Sequence, residues 1–538
     1  QDITTYLELV SEGKYEEAME VITEKNPLPF ITGTICAHNC MSKCTRNFYE
    51  DPVHIRNMKL LAAENGYEAW LKKQGVPAVT KEGKAAVVGG GPAGMAAAYF
   101  LRRAGMDVTI FEQNDALGGV VRHVIPEFRI ASSAIDKDAE ILNTLGVHVE
   151  LNTRVKSVDE LKAEGFDKVI LAVGASKPGT LRLEEGDAVN ALEFLADFKA
   201  NNGELNIGKN VVVIGGGNTA MDTARAAKRT TGVENVYLVY RRTKRFMPAD
   251  AEELEMAIED GVEFKELLSP VKVADGKLTC KVMKLGDIDE SGRRSVVETD
   301  EICEIAADTV IAAVGEKVPT KFYEANRINV SERGKALVND ATLESNVEGV
   351  YVVGDGLGGP ATVVEGIRDG KKAAEAIIGT TLSRDFDENL EGETIFARQG
   401  ILESEKEGQA ESTRCLGCST ICENCVQVCP NRANVAVHVP GMAKAQIIHV
   451  DSMCNECGNC KSFCPYSSAP YKDKFTYFEK PEDMSDSTNQ GFAILDREKV
   501  SCKVRFLGDE FIWTKGEATK LPEGLQKLIE AVIADGIL

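Results

Sequence analysis

Apolar positions in the first 80 residues recur at helical spacing. Leu7, Leu9 and Val10 precede a turn at Ser11-Glu12-Gly13, and Tyr15, Ala18, Met19, Val21 and Ile22 follow at helical intervals. Asn26-Pro27 breaks that helix, so an irregular stretch is expected behind it. A second helical run is predicted from about Val53 to Lys73. At Lys84 the pattern changes. Ala85-Ala86-Val87-Val88 is a short buried strand, a glycine-rich turn follows, a helix runs through Met95 to Arg103, and Val108–Phe111 is a second strand. Val211–Ile214, a second glycine turn, a helix to about Lys228 and the strand Val236–Tyr240 repeat the arrangement. Short apolar strands ending in glycine follow at Val169–Gly174, Val310–Gly315 and Val350–Gly354.

Strands alternating with helices predict an α/β fold: parallel sheets covered by helices on both faces. The expected fold class is therefore two nested Rossmann-like dinucleotide-binding domains flanked by smaller metal-binding domains. The boundaries read as 1–80 for a helical N-terminal domain, 81–205 and 316–385 for one dinucleotide domain, and 206–315 for a second one inserted into it. Polar and acidic residues 386–412 read as a linker, 413–470 as a cysteine-rich domain, and 471–538 as a β-rich appendage with a short final helix. The appendage is inferred from alternation at Lys503–Leu507 and Phe511–Thr514.

With 538 residues, three to five domains are expected, each large enough for its own core. The formal charge of −22 argues against nucleic acid as the main partner, because phosphate binding needs a basic surface. No run of eighteen apolar residues predicts a membrane span, and no basic-then-apolar leader stands at the start. The chain opens on Gln1 rather than Met, so further residues upstream are expected.

Gly89-x-Gly91-x-x-Gly94 between a strand and a helix is a phosphate-binding device. Gly89 makes the turn, Gly91 lets the backbone approach a pyrophosphate, and Gly94 lets helix and strand pack closely; Pro92 and Ala93 open the helix. The helix N-terminus offers free N–H groups and a positive dipole end. Glu112 closes the next strand, where its carboxylate reaches the hydroxyls of an adenosine ribose. Gly118, Gly119, Gly174, Gly354 and Asp355 are counted with this site, Asp355 as a contact to a ribityl chain or pyrophosphate. In the second loop, Gly215-x-Gly217-Asn218-Thr219-Ala220, alanine takes the close-packing position. Its following strand ends in Tyr240-Arg241-Arg242 where an acid would bind a bare ribose, and Gly315 ends another strand of the same unit. Arginines bind a 2′-phosphate that a carboxylate repels. The first site therefore suits FAD and the second NADPH rather than NADH.

Twelve of the 15 cysteines fall in three groups. A long chain without a leader is not a disulfide scaffold, so these thiols read as metal ligands in a reducing compartment, the cytoplasm. Cys454-x2-Cys457-x2-Cys460-x3-Cys464-Pro465 is the bacterial ferredoxin run, in which three thiolates hold one 4Fe–4S cluster and the fourth crosses to another. Cys415, Cys418, Cys422, Cys425 and Cys429-Pro430 close on the same pattern. Two C-terminal clusters are expected. One uses Cys418, Cys422, Cys425 and Cys464; the other uses Cys454, Cys457, Cys460 and Cys429; Cys415 either replaces Cys418 or is spare. Zinc is the alternative, disfavoured by two Cys-Pro terminations and the lack of paired histidines. Cys36, Cys40 and Cys44 supply three thiolates of a further N-terminal cluster, whose missing ligand is expected upstream. Cys280, Cys303 and Cys502 stand alone in sequence and read as buried thiols.

On these residues the chain resembles the glutamate synthase small-subunit family. The resemblance runs through Asn26–Cys44 (NPLPFITGTICAHNCMSKC), Val87–Ala97, Gly215–Asp222, Tyr240–Arg242 with Met247-Pro248, and Gly349–Gly370, covering about residues 1–385. The N-terminal half of dihydropyrimidine dehydrogenase is similar over the same region. Cys429–Asn434, Cys454–Cys460 and Phe463–Tyr466 resemble the C-terminal half of a selenate reductase-like family associated with anaerobic purine breakdown. The resemblance implies flavin and iron–sulfur electron transfer. It also implies that cysteines ahead of Gln1 and Asp2 complete two N-terminal clusters, and it sets the position of a glutamine ligand of dihydropyrimidine dehydrogenase near Lys59, which cannot take its place.

The expected function is an NAD(P)H:acceptor oxidoreductase. NADPH reduces FAD, and electrons leave through the clusters to a partner reductase or an upstream catalytic portion. The resemblance points to a purine or oxyanion as the final substrate. Ferredoxin-driven NADP reduction and flavin-based bifurcation use the same parts and stay open. A non-catalytic electron-relay or assembly subunit is the reading from another class; an intact second glycine loop counts against it. No acid–base constellation is found outside the cofactor sites.

Overall fold

The structure, a computed structural model, describes residues 1–48, 50–175, 177–288, 294–386, 397–398, 400–417, 423–442, 445–464 and 468–535. The chain forms two compact units. The larger takes Thr23–Ala37 and Glu68–Ser383; the smaller takes Gln1–Ile22, His38–Tyr67 and Arg384–Leu538.

Two five-stranded parallel sheets organise the larger unit. In the first, Lys84–Val88 is central, with Asp107–Phe111 and His148–Glu150 on one side and Lys168–Leu171 and Val350–Val352 on the other. In the second, Asn210–Ile214 is central, with Asn235–Tyr240 and Glu263–Glu266 on one side and Thr309–Ala312 and Val189–Asn190 on the other. In each sheet the central strand feeds a glycine loop. Four of five residues are buried in each central strand, as parallel sheets covered on both faces require. The passages between the sheets pair as short antiparallel strands, Lys177–Pro178 with Glu316–Lys317.

Two features of this unit escape a reading of sequence periodicity. Leu268–Ala274, Lys277–Ile288 and Arg294–Ala306 form a three-stranded antiparallel meander inside the second dinucleotide domain. Its register sets Cys280 opposite Cys303, so two thiols that stand alone in sequence face each other. Burial foremost, then the neighbouring Cys303, pushes the Cys280 thiol up to about 12. The second feature lies in the stretch behind Asn26-Pro27, expected to be irregular. It holds a helix, Pro29–Ile35. The fully buried Asp138 carboxylate accepts the Phe30 N–H at 3.1 Å and the Ile31 N–H at 2.8 Å, satisfying two donors that an uncapped helix start leaves open. Cys36 follows at its C-terminal end.

The smaller unit joins both ends of the sequence. Helix Ile3–Ser11 buries Tyr6, Leu7 and Val10, which pack with Ala18, Ile22, Val53 and Met58. A six-stranded sheet runs in the order Asn434–Val437, Gln446–Val450, Thr476–Phe478, Gly491–Asp496, Ser501–Phe506, Asp509–Thr514. Phe492, Cys502 and Trp513 form its core with Leu528 and Val532 of helix Glu523–Asp535. The sheet crosses position 470, so the expected cysteine-rich domain and β-rich appendage share one fold. Cys502 is a core thiol that burial pushes up to about 12. Most described residues of the expected linker are exposed, but three of them are anchored in the protein. Arg398, Glu411 and Ser412 are buried: Arg398 pairs with Glu8, Glu411 with Arg414, and the Ser412 hydroxyl donates to the Gln409 carbonyl at 2.6 Å. Polar composition alone does not distinguish a solvated linker from a buried ion-pair network.

Candidate functional sites

The first glycine loop leaves strand Lys84–Val88 and enters helix Pro92–Arg103 at Gly91. Gly89 takes φ +109, and a Cβ there would lie 2.3 Å from the Ala172 carbonyl oxygen, so no other residue fits. A Cβ at Gly94 would lie 2.0 Å from the Gly89 carbonyl oxygen, which accounts for its close-packing position. At Gly91 the nearest atom to a Cβ is the Gly119 Cα at 3.8 Å, so the helix start is uncrowded there. The Gly118 N–H donates to the Gly90 carbonyl at 2.8 Å and ties the two glycine turns together. Glu112 is buried; Oε2 accepts the Gly90 N–H at 2.7 Å and Oε1 the Asn114 N–H at 2.9 Å. The carboxylate is thus fixed beside the loop.

Gly354, at φ +64, precedes the short helix Asp355–Gly358, and a Cβ there would press on the Ala93 Cβ at 2.7 Å. Burial pushes the Asp355 carboxyl up to about 6 against the pull of the Ala361 N–H, which Oδ1 accepts at 3.1 Å. Helix Val363–Ile378 starts on a capping box between Thr362 and Glu365 and packs against helix Pro92–Arg103 through Gly366 and Gly370. These two glycines, four apart on one helix face, are part of the site that sequence reasoning missed. Their spacing was the available signal. Gly174 and Gly315, at φ +67 and +97, lie three residues beyond the ends of strands Lys168–Leu171 and Thr309–Ala312 rather than within them, and a Cβ at either would meet no atom within 4 Å.

The second loop repeats the geometry. A Cβ at Gly215 would lie 2.4 Å from the Ala313 carbonyl oxygen, and the Ala220 methyl already occupies the close-packing position at 3.0 Å from it. Gly217 caps helix Asn218–Arg229 with no atom within 4 Å of a Cβ, again an open helix start. The Asn218 side chain and Asp250 exchange bonds: Nδ2 donates to Asp250 Oδ2 at 3.3 Å, and Oδ1 accepts the Asp250 N–H at 3.0 Å. The Thr219 carbonyl accepts the Thr223 hydroxyl at 2.6 Å. Arg241 is exposed at the end of strand Asn235–Tyr240, and Arg242 donates Nε to the Arg294 carbonyl at 2.9 Å. Two cations thus follow the strand, whose last residue, Tyr240, packs on the loop, where a Cβ at Gly216 would lie 2.4 Å from the Tyr240 ring.

In the smaller unit one cavity is lined by Cys429, Cys454, Cys457 and Cys460, with Asn434, His449 and Tyr471. Short helices Asn424–Gln427 and Asn459–Ser462 carry Cys425 and Cys460, and the Asn424 side chain donates to the Phe463 carbonyl at 2.7 Å. The Cys429 sulfur accepts the Ala433 N–H at 3.2 Å and the Cys454 sulfur the Glu456 N–H at 3.3 Å. Burial, then nearby Cys429 and Cys460, raises the Cys454 thiol, while the Glu456 N–H opposes that shift. Asn434 bridges Cys425 and the buried His449: its Nδ2 donates to the Cys425 carbonyl at 3.1 Å, and its Oδ1 meets His449 Nδ1 at 3.1 Å. Among the described residues, no three His, Cys, Asp or Glu side chains converge as ligands of a single ion. A cubane carries its four thiolates on four separate irons, so they stand wider apart than ligands sharing one ion. Cys464 is half-buried at the end of its run, while Cys418 and Cys422 lie outside the described residues.

Two open dinucleotide loops on matching parallel sheets define a pyridine-nucleotide-linked flavoprotein oxidoreductase. Residues 83–370 match the pyridine nucleotide-disulphide oxidoreductase family, to which the chain belongs, and residues 1–70 match dihydropyrimidine dehydrogenase domain II, 4Fe-4S cluster. The chain is 39% identical to the oxidoreductase YgfK of Escherichia coli (strain K12) over 99% of its length and 53% of that protein. It is 34% identical to the NADP(+)-dependent formate dehydrogenase subunit beta of Moorella thermoacetica, over 70% of this chain and 58% of that one. It is 33% identical to the glutamate synthase [NADPH] small chain of Azospirillum brasilense, over 70% of this chain and 83% of that one. The chain thus spans about half the length of YgfK. No helix among the described residues is long and apolar enough to cross a membrane.

Proposed function

We propose that this chain takes electrons from NADPH onto FAD and exports them through iron–sulfur clusters to a separate catalytic site. The observation that carries the reading is a strand that ends in Arg241 and Arg242 just after Tyr240, which packs on the loop that opens at Gly217, in the same compact unit as a second loop flanked by Glu112. The two arginines would hold the 2′-phosphate, and the N–H groups behind Gly217 the pyrophosphate. Gly91, Gly119 and Glu112 would hold the pyrophosphate and ribose of FAD, with Asp355 on its far side. FAD, when bound, supplies acceptance of a hydride and release of single electrons. The chain's own part is to fix both dinucleotides by their phosphates and to carry thiolates for the onward path.

Cys429, Cys454, Cys457 and Cys460 are assigned to one 4Fe–4S cluster. The N–H bonds to Cys429 and Cys454 stabilise thiolate charge and tune the potential. The final acceptor belongs to a partner subunit or to a longer protein of which this sequence is part, since two relatives are named as a subunit or small chain and this chain covers 53% of YgfK. Thiolate ligands of this kind fit a reducing compartment such as the cytoplasm.

The test is iron, acid-labile sulfide and FAD per chain on anaerobically purified protein, then NADPH titration followed by visible absorbance and EPR. One FAD, at least about eight irons and bleaching by NADPH agree with the proposal. Zinc in place of iron, or no bleaching by either nicotinamide, overturns electron export and leaves a relay or assembly role.

A further inference from the structure

Cys415 lies in the cysteine-rich stretch of sequence, yet it does not pack with the cavity of Cys429 and Cys454. It is buried in the apolar core of the N-terminal helices, with Tyr6, Val10, Ile22 and Met58, and Cys40 and Cys44 lie against the same core. The backbone at Cys415 is tied to residues just after Cys44, directly through Arg46 and indirectly through Arg398. The fully buried Arg46 donates Nε to the carbonyl of Arg414, the residue before Cys415, and Nη2 to the Arg398 carbonyl at 2.6 Å. Arg398 in turn donates Nη1 to the Cys415 carbonyl at 3.1 Å, and Arg414 donates Nη2 to the Asp51 carbonyl at 2.6 Å.

The local turn at Cys415 also has the form of a ligand turn. The Cys415 sulfur accepts the N–H of Gly417, two residues on, at 3.5 Å, and Gly417 has φ +64. Cys454 accepts the N–H of Glu456, two residues on, at 3.3 Å, and Glu456 has φ +52. Glutamate rarely adopts that conformation, so the turn at Cys454 is imposed by its surroundings. The same left-handed turn with an N–H bond to sulfur therefore occurs at the four-thiol cavity and at the apolar core against which Cys44 packs. An ordinary core cysteine needs neither feature: Cys502 sits in the middle of a strand.

We infer that Cys415 and Cys44 are two ligands of one 4Fe–4S cluster in the N-terminal helical domain. The segment following the flavin unit in sequence then closes a cluster begun before it. The ion-pair network of Arg46, Arg398 and Arg414 holds the two thiolates together. This inference rests on the reading that the chain carries iron–sulfur clusters.

The test compares the full chain with C44S, C415S, the C44S/C415S pair, C454S and the C415S/C454S pair. Each is purified anaerobically and measured for iron and FAD per chain and for EPR after dithionite reduction. C44S and C415S are expected to lose the same signal and about four irons each, with the pair losing no more. C454S is expected to lose a different signal, and C415S/C454S both. Unchanged FAD content reports an intact fold. Because substitution in a core can fail through packing, C415D keeps an anionic ligand; it is expected to retain the iron with shifted g values. Full iron in C415S, additive losses in C44S/C415S, or wild-type g values in C415D overturn the shared cluster alone. A wild-type chain without iron overturns this inference and the proposed function together.

Discussion

Gly370 rests on Ala93: a Cβ at position 370 would lie 2.4 Å from the Ala93 carbonyl oxygen and 2.9 Å from the Ala97 amide nitrogen. Both contacts are with the backbone of the helix whose first turn frames the first open loop, so neither can yield by a rotamer change. G370A therefore has to push helix Val363–Ile378 off helix Pro92–Arg103. Overpacking of this kind costs about 1–3 kcal/mol. The expected outcome is a lower thermal midpoint and protein that loses FAD on gel filtration, both read from flavin absorbance per chain. Normal flavin retention in G370A would show that the loop does not depend on this helix contact.

The strand-end arginines predict a coenzyme preference that can be inverted. A hydrogen bond to a charged group contributes about 1.5–3 kcal/mol. R241A/R242A is therefore expected to raise the KM for NADPH by about 10–100-fold and leave that for NADH within about twofold. The Arg242 bond to the Arg294 carbonyl is lost in the same variant, so circular dichroism is run beside the kinetics. Equal loss with both coenzymes would assign these residues a structural role instead.

Cys429 and Cys454 are expected to behave as one unit in iron binding. They line one cavity and each accepts a backbone N–H. C429S and C454S should each remove about four irons and the same EPR signal, and C429S/C454S no more than either. Additive loss would mean that the thiols serve different clusters.

What the sequence makes legible is local or strictly periodic. The two glycine loops read directly, because each sits between a buried strand and a helix, and the steric demands at Gly89, Gly94 and Gly215 match the roles their spacing suggests. The grouping of Cys429 with Cys454, Cys457 and Cys460 was also legible, since the Cys-Pro ending marks a thiol that crosses to the other run. Contacts between distant segments were not. Cys280 and Cys303 gain a partner only from the register of two long strands. Asp138 caps a helix more than a hundred residues earlier in sequence. Arg398 and Glu411 fall in the stretch read as a linker because composition carries no information about pairing.

Asp222 gives a prediction about pH. It lies buried on helix Asn218–Arg229 with Arg129 Nε at 2.9 Å, and Glu253 pairs with the same arginine. Burial pushes its carboxyl up to about 6; Arg129 is the largest opposing pull, and Glu253 adds to the push. An unfolded aspartate titrates near about 3.9. Between these values the folded chain holds a proton that the unfolded chain has released. The raised pKa therefore lowers stability as pH rises from about 4 to about 6, by at most about 3 kcal/mol. In D222N the group no longer titrates, so its urea midpoint should vary less with pH over that window than the wild-type midpoint. The amide also leaves Glu253 as the remaining carboxylate on Arg129, which keeps that buried guanidinium paired. Parallel pH profiles for D222N and wild type would show that Asp222 is ionised in the folded chain throughout the range.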